Sequence, residues 1–533
     1  MSPTTTGAAQ EARDAQAGPR HEKADKSVHD ELLERLDKAR EGGPKRNRDK
    51  QIAAGKMLVR DRLALLLDDD EIIEDGLLAR HLEDLPADGV VTCIGRVDGR
   101  QVCVIANDYT VKAGAWGKRT FEKMTAMQLL ADELELPLVY LVDAAGARID
   151  EQFESYAGRK AWGNIFYNQV QISGRIPQIC ALFGPSPAGS AYVPALCDVT
   201  IMVRGTATAY IGSPRVAEMV TGEKVSLEEM GGADLHSRVS GLSDLLVEDD
   251  AEAIAAVRLY LSYLPGSWKE KPPVVEGWDP LPTGDMRAIV PENEATPYDI
   301  HDLIDAVVDA NTFFEYKELF APELVTGFAR LGGAPVGIVA NQSSVKAGVL
   351  FSDSSDKAAR FVWMCNAYNV PLLFLVDVPG YMLGTVAEKE GIIRHGAKML
   401  FAVAESRVPR IAVLVRKAYG GGYLGMSGSP MNPDAVLALP TAKPALLGPE
   451  AAIAGVHFNR AMAIEDPEER QRFVAELRAE YEAKIDVFQI ANENAVEAVV
   501  PVEDLRAELI ARFALYSRRN KRPIERRNGV YPV

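Results

Sequence analysis

The 533-residue chain contains five cysteines, and no two of them stand as C-x-x-C. A zinc knuckle and a dithiol redox motif are therefore excluded. Most of Cys93, Cys103, Cys180, Cys197 and Cys365 lie in apolar runs, so they read as small core residues in a reducing compartment, and a cytoplasmic location is expected. The seven histidines are scattered and none belongs to H-E-x-x-H, so no metal site is expected. The chain lacks the G-x-x-x-x-G-K-[ST] loop, which leaves ATP chemistry without support. No apolar run reaches the roughly 18 residues that cross a bilayer. The longest candidate, "VPLLFLVDVPG", is interrupted by Asp377 and Pro379 and reads as a buried strand ending in a turn. Residues 1–27 have no apolar h-region and include Glu11 and Asp14, against a secretory signal or a transit peptide. They are expected to form a disordered tail. A net charge of −17 disfavours nucleic-acid binding. The basic run Arg518, Arg519, Lys521, Arg522, Arg526 and Arg527 reads as a solvated or interface tail. "GPSPAG", around Ser186, has the look of a nucleophile elbow. Proline at 187 removes the N–H that the oxyanion donor requires, so a hydrolase is not expected.

What the chain does have is a long repeat. "TCIGRVDGRQVCVIANDYTVKAG" (92–114) aligns without a gap on "TGFARLGGAPVGIVANQSSVKAG" (326–348), with 10 of 23 positions identical. The offset of 234 is too long for a solenoid and implies two duplicated domains. It persists in "PLVYLVDAAG" (137–146) and "PLLFLVDVPG" (371–380). Between them, Met124, Met127, Ala131 and Leu134 match Ala358, Phe361, Cys365 and Tyr368, each set spaced as one apolar helix face. Each copy thus reads as a hairpin, a loop ending in Lys-Ala-Gly, a helix, a buried strand ending at Asp-x-x-Gly, then another helix and strand. An α/β fold follows. Five prolines in residues 264–285 mark a linker. The expected boundaries are 28–263 for the first domain and 286–533 for the second.

The last strand of each copy leads into a small-residue loop: "PAGSAY" (187–192) and "YGGGY" (419–423). A strand–loop–helix turn of this kind leaves backbone N–H groups free at the helix start, where they can hold a phosphate or a developing oxyanion. Ala188, Gly189 and Ser190 are the candidates in the first copy, Gly421 and Gly422 in the second. Close packing of strand on helix would use the same small residues.

Several stretches together resemble one family. They are "DKQIAAGKMLVRDRLALLLD" (49–68), "DAAGARI" (143–149), "LVTGFARLGGAPVGIVANQ" (324–342), "FLVDVPGYMLG" (374–384), "GIIRHGAKML" (391–400) and "RKAYGGGY" (416–423). They are similar to the carboxyltransferase β subunit of biotin-dependent acyl-CoA carboxylases, of the propionyl-CoA and methylcrotonyl-CoA type. The resemblance covers about 28–533 and implies two crotonase-like (ClpP/crotonase) domains per chain. It also implies a homo-hexamer with active sites between the first domain of one subunit and the second domain of another. Acyl-CoA, most simply a short-chain one, is implied on the first domain and carboxybiotin on the second. Negative charge then develops on the thioester oxygen and on the biotin oxygen, and two backbone oxyanion holes are needed. By position, Ala188 and Gly189, or Gly189 and Ser190, face the thioester, and Gly421 and Gly422 face biotin. Lys112, Gly114, Gly146, Ala147 and Leu424 are implied on the substrate side, and Gly380, Tyr381, Gly420 and Tyr423 on the biotin side. Lys112 either meets CoA phosphates or is the surface lysine of a structural turn. No side-chain base is implied, because biotin supplies it.

The chain departs from the family at two places. The family loop carries two adjacent glycines where this chain has Ala188-Gly189-Ser190, and the propionyl type has an acid where this chain has Leu424. "VKAGAWG" is more like the decarboxylase and methylcrotonyl branches. Neither a Met-Lys-Met biotinylation motif nor an ATP-grasp domain is present, so a biotin carboxylase and a biotin carrier are implied as partners. Alternatives are a decarboxylase or transcarboxylase subunit, and a non-catalytic scaffold of a carboxylase complex.

Overall fold

The computed structural model describes residues 27–68, 72–156, 161–281, 285–519, 521, 524–526 and 529–532. The expected tail, apart from Ser27, lies outside them. Two mixed sheets organise the chain. The first contains β1 (Ile73–Asp75), β2 (Val90–Val97), β3 (Arg100–Asn107), β4 (Leu138–Val142), β5 (Gln178–Leu182), β7 (Val199–Val203) and β9 (Leu245–Val247), in that spatial order. A separate pair is formed by β6 (Pro185–Pro187) and β8 (Thr208–Tyr210). The second sheet has the order β10 (Phe314–Tyr316), β11 (Leu324–Leu331), β12 (Ala334–Asn341), β13 (Leu372–Val378), β14 (Arg410–Tyr419), β15 (Ala435–Ala438) and β17 (Ala498–Val499), while β16 (Lys443–Ala445) pairs with the far end of β14. In both, the first three strands are antiparallel and the rest parallel. The fold is therefore α/β with one mixed sheet per half, as the resemblance to two crotonase-like units implies.

Local sequence explains the shared parts. The β2–β3 turn is Asp98-Gly99, with φ of 49° and 78°, and the β11–β12 turn is Gly332-Gly333, with φ of 60° and 80°. Positive φ at both central residues gives the hairpin twist that matches the strands. The parallel strands are buried on both faces, as their continuous apolar sequences require. The expected helices are Lys118–Leu134 and Ser352–Ala367. Met124, Met127, Ala131, Ala358, Phe361, Cys365 and Tyr368 are all buried. Leu134 departs from the pattern and is 50% exposed, because the helix ends there and Glu135 turns left-handed.

The two halves pack through side chains rather than through a shared sheet. The Tyr368 hydroxyl donates to Asp198 Oδ2 at 2.6 Å and lies 2.8 Å from Ile176 O, and Tyr260 donates to Met364 Sδ at 3.0 Å. Residues 264–281 form neither helix nor strand, and they lie against the second hairpin. Val275 N donates to Gly333 O at 3.1 Å, and Arg330 Nη1 to Pro273 O at 3.0 Å. All five cysteines are buried, and burial pushes the thiols of Cys93 and Cys103 up to about 12, so both are inert core residues.

Candidate active site

The Val-Lys-Ala-Gly loops that signalled the repeat are left-handed turns. Residues Lys112, Ala113 and Gly114 have φ of 45°, 54° and 63°, and Lys346, Ala347 and Gly348 have 48°, 56° and 72°. Three consecutive residues with positive φ are rare outside glycine. Tight packing holds them in place. A Cβ on Gly114 would lie 2.2 Å from Asp143 O, and one on Gly348 would lie 2.9 Å from Asp377 O. The loops therefore brace the ends of β4 and β13. Lys112 is 44% exposed and lies 3.5 Å from the Asp150 carboxylate.

At those strand ends each half buries an aspartate clamped by two cations. Asp143 meets Lys56 at 2.7 Å and Arg62 at 3.1 Å, and Arg62 also reaches Asp250 at 2.7 Å. Asp377 meets Arg416 at 2.8 Å and Lys417 at 3.4 Å. The cations come from different places. The first pair belongs to the helical lead-in and the second to β14 itself. Sequence reasoning passed over these residues. The available signal was the aspartate shared by "VDAAG" and "VDVPG" and the basic residues within the two quoted motifs.

Strand register sharpens the equivalence of the glycine-rich loops. Leu138 pairs with Gln178 while Leu372, 234 residues on, pairs with Arg410, so the offset beyond this point is 232. The same offset relates the short parallel pairings Pro185↔Thr208 to Pro187↔Tyr210 and Lys417↔Lys443 to Tyr419↔Ala445 at their first strands. It places Ala188 on Gly420, Gly189 on Gly421 and Ser190 on Gly422. Backbone conformation agrees, since φ is 52° at Ala188 and 53° at Gly420. Each loop then turns into a short helix, Ala188–Ala191 continuing as Tyr192–Leu196 and Gly420–Gly425. The first N–H groups of such a turn have no intrahelical acceptor. Of the two pairs that the sequence left open, Gly189 and Ser190 is the one equivalent to Gly421 and Gly422.

Several other expected residues gather at these loops. A Cβ on Gly146, whose φ is 89°, would lie 3.1 Å from Pro187 Cγ. Trp116 N donates to Gly146 O at 2.8 Å, and the Trp116–Ala147 bridge repeats in the second half as Leu350–Tyr381. A Cβ on Gly422 would lie 2.8 Å from Val378 Cγ2 and 2.9 Å from Gly380 Cα. The Tyr381 ring covers Gly396, Gly421 and Gly425. Tyr423 is drawn away, its hydroxyl accepting from Ser429 N at 2.9 Å. Leu424 is half-buried in the same turn. Ser190 donates from Oγ to Pro187 O at 2.6 Å, so its hydroxyl is engaged in the turn. No cluster of metal-binding side chains occurs among the described residues.

Comparison with known proteins supplies context for this geometry. The carboxyl transferase domain family matches residues 50–531. The chain is 52% identical over 508 residues to the uncharacterized carboxylase YngE of Bacillus subtilis, covering 94% of this chain and 99% of that one. It is 40% identical over 515 residues to the carboxyltransferase subunit of Haloferax mediterranei propionyl-CoA carboxylase, covering 95% and 99%. Its structure is similar to that of transcarboxylase 12S, a hexamer solved with methylmalonyl-coenzyme A and methylmalonic acid bound, with a TM-score of 0.89 and 37% identity over 95% of this chain and 98% of that one.

Proposed function

The chain belongs to the carboxyl transferase family, as a carboxyltransferase β subunit of the biotin-dependent acyl-CoA carboxylase type, and from that premise we propose that it moves a carboxyl group from carboxybiotin to the α (or vinylogous γ) carbon of an acyl-CoA. One observation carries the reading: the two loops share a backbone conformation at an offset of 232, as two oxyanion sites of one reaction would. Glycine at 422 lets the second loop pack directly on Val378 and Gly380, since a Cβ there would lie 2.8 Å from Val378 Cγ2 and 2.9 Å from Gly380 Cα. When bound, carboxybiotin supplies the CO2 and the base.

This chain's own residues bind and polarise. The N–H groups of Gly189 and Ser190 receive the thioester oxygen as it gains charge, while those of Gly421 and Gly422 receive the ureido oxygen. Each such donor contributes about 10²–10³ in rate. Asp143 and Asp377 fix the strand ends beneath the loops. Lys112, Gly114, Gly146, Ala147 and Leu424 border the acyl-CoA, and Gly380, Tyr381, Gly420 and Tyr423 border biotin. Domains of 28–263 and 286–533 carry the two sites. The carrier and the biotin carboxylase are supplied by one partner chain or two, and six copies of this chain form the core.

Exposed apolar side chains that follow β4 and β13 support a site completed by a second copy. Phe153, eleven residues beyond the end of β4, is 88% exposed, and Leu383, two residues beyond the Tyr381 that covers Gly421, is 79% exposed. The likeness to transcarboxylase favours one second reading, in which the same residues return or shuttle carboxyl groups. Reconstitution with biotin carboxylase and carrier, supplied with acetyl-, propionyl-, butyryl- or methylcrotonyl-CoA, tests the proposal. Carboxylation of at least one thioester is expected. Absence of carboxylation, and of biotin-dependent decarboxylation of the corresponding acids, overturns it.

A further inference from the structure

The two loops share a backbone but not a lining. Over the second loop, Tyr381 lies in ordinary contact with the position a Gly421 Cβ would take, at 3.5 Å. Among the described residues Tyr381 has no ring neighbour. Over the first loop, at the equivalent glycine, the approach is closer: a Cβ on Gly189 would lie 2.7 Å from Trp162 Cζ3. Trp162 is the centre of an aromatic row. Phe121 lies at 6.4 Å between centroids, Tyr156 at 5.9 Å and Phe166 at 5.4 Å, the last edge-to-face. Phe166 is followed by Tyr192 at 6.0 Å, and Phe121 is backed by Trp116 at 5.8 Å.

The row runs from core to solvent past the loop. Trp116 and Phe121 are 2% and 3% exposed, whereas Tyr192 and Tyr156 are 52% and 68% exposed. Rings that only packed a core would not be left open at one end. Edge-to-face aromatic walls accept hydrocarbon and planar π groups, and they supply no charge partner.

We infer that Trp162, Phe166 and Tyr192 form the wall of the acyl pocket, and that the preferred acyl group is a branched or unsaturated hydrocarbon chain of about four or more carbons rather than acetyl. The inference rests on the assignment of the thioester to the Gly189–Ser190 loop. An acetyl group ends beneath the first ring. Contact with the second ring, 5.4 Å further along, requires a longer or branched chain. Trp162 and Tyr192 are thus specificity-determining residues. Neither takes part in the chemistry.

Binding to the intact chain tests this without requiring turnover. CoA and its acetyl, propionyl, 3-methylcrotonyl and hexanoyl thioesters are titrated calorimetrically. Affinity is expected to rise by roughly fourfold per added carbon beyond acetyl, as burial of methylenes implies. Trp162→Ala should flatten the series and leave CoA itself unchanged, while Trp162→Phe should keep most of the slope. Tyr192→Ser, at a side chain already half exposed, gives the same reading if Trp162→Ala unfolds. Equal binding of acetyl and hexanoyl thioesters by the unaltered protein overturns the inference and leaves the proposed function standing. Equal loss of CoA and thioester binding in the variants also overturns it, since the rings would then hold the CoA moiety. Failure of every thioester to bind overturns the proposed function itself.

Discussion

Substitution of Gly422 by alanine puts the second glycine-rich loop, the proposed biotin-side oxyanion site, under direct strain. The new Cβ would lie 2.8 Å from Val378 Cγ2, 2.9 Å from Gly380 Cα and 3.2 Å from Gly380 C, whereas ordinary contact begins at 3.4 Å. Two of these three atoms are backbone, so no side-chain rotation relieves them. The loop must move by about 0.5 Å, the shortfall at the closest backbone contact, Gly380 Cα. Overpacking of this kind costs about 1–3 kcal/mol of stability. A shift of that size at a positioned donor lowers turnover by about ten- to a hundredfold. Gly421→Ala is the internal control, because its Cβ would meet Tyr381 at 3.5 and 3.6 Å. It should change stability by about 0.5 kcal/mol or less. The assay is carboxyl transfer in the reconstituted complex, run beside calorimetric acyl-CoA binding, which both variants should preserve. Wild-type transfer by Gly422→Ala, at unchanged thermal stability, would refute the geometry argued for this loop.

Three further outcomes follow from the same structure. Ala188 holds φ of 52°, a conformation that costs an L-residue about 1–2 kcal/mol. Ala188→Gly should raise stability by about 0.5–1 kcal/mol in a denaturant titration while leaving transfer intact, after allowance for the entropy of glycine. Asp377→Ala removes the partner of Arg416, a side chain 1% exposed, and should cost about 3–5 kcal/mol in the same titration. His301 is held by Glu315 at 2.8 Å and Asp299 at 2.6 Å, and the Glu315 hydrogen bond leads in raising its pKa to about 9 against burial. Since the folded value lies above the ordinary 6.5, the stabilisation is complete below pH 6.5 and is lost as pH rises through about 9. Denaturation midpoints of His301→Gln should lack that decline.

The duplication, the hairpins and both buried strands were legible in the sequence because each is a local pattern repeated at a fixed offset. Asp98-Gly99 and Gly332-Gly333 are turn signals whose meaning needs no tertiary context. The exact match of Ser190 to Gly422 was not legible. Two residues are lost between the copies ahead of β5 and β14, and only strand register shows where. Leu134 misled for a similar reason: periodicity continues past the point where the left-handed Glu135 ends the helix. The clamps on Asp143 and Asp377 were hidden because their cations arrive from unrelated segments, 87 residues upstream for Lys56 and 39 downstream for Arg416. Trp162 escaped notice because contact with Gly189 joins residues that no helical or strand periodicity relates.

A structure of the assembled complex with an acyl-CoA and biotin both bound would show directly which groups hold the two oxygens. The thioester oxygen is expected within about 2.7–3.1 Å of the Gly189 and Ser190 N–H donors, and the ureido oxygen at the same distance from those of Gly421 and Gly422. Either oxygen held elsewhere, by a side chain or by another loop, would contradict the assignment.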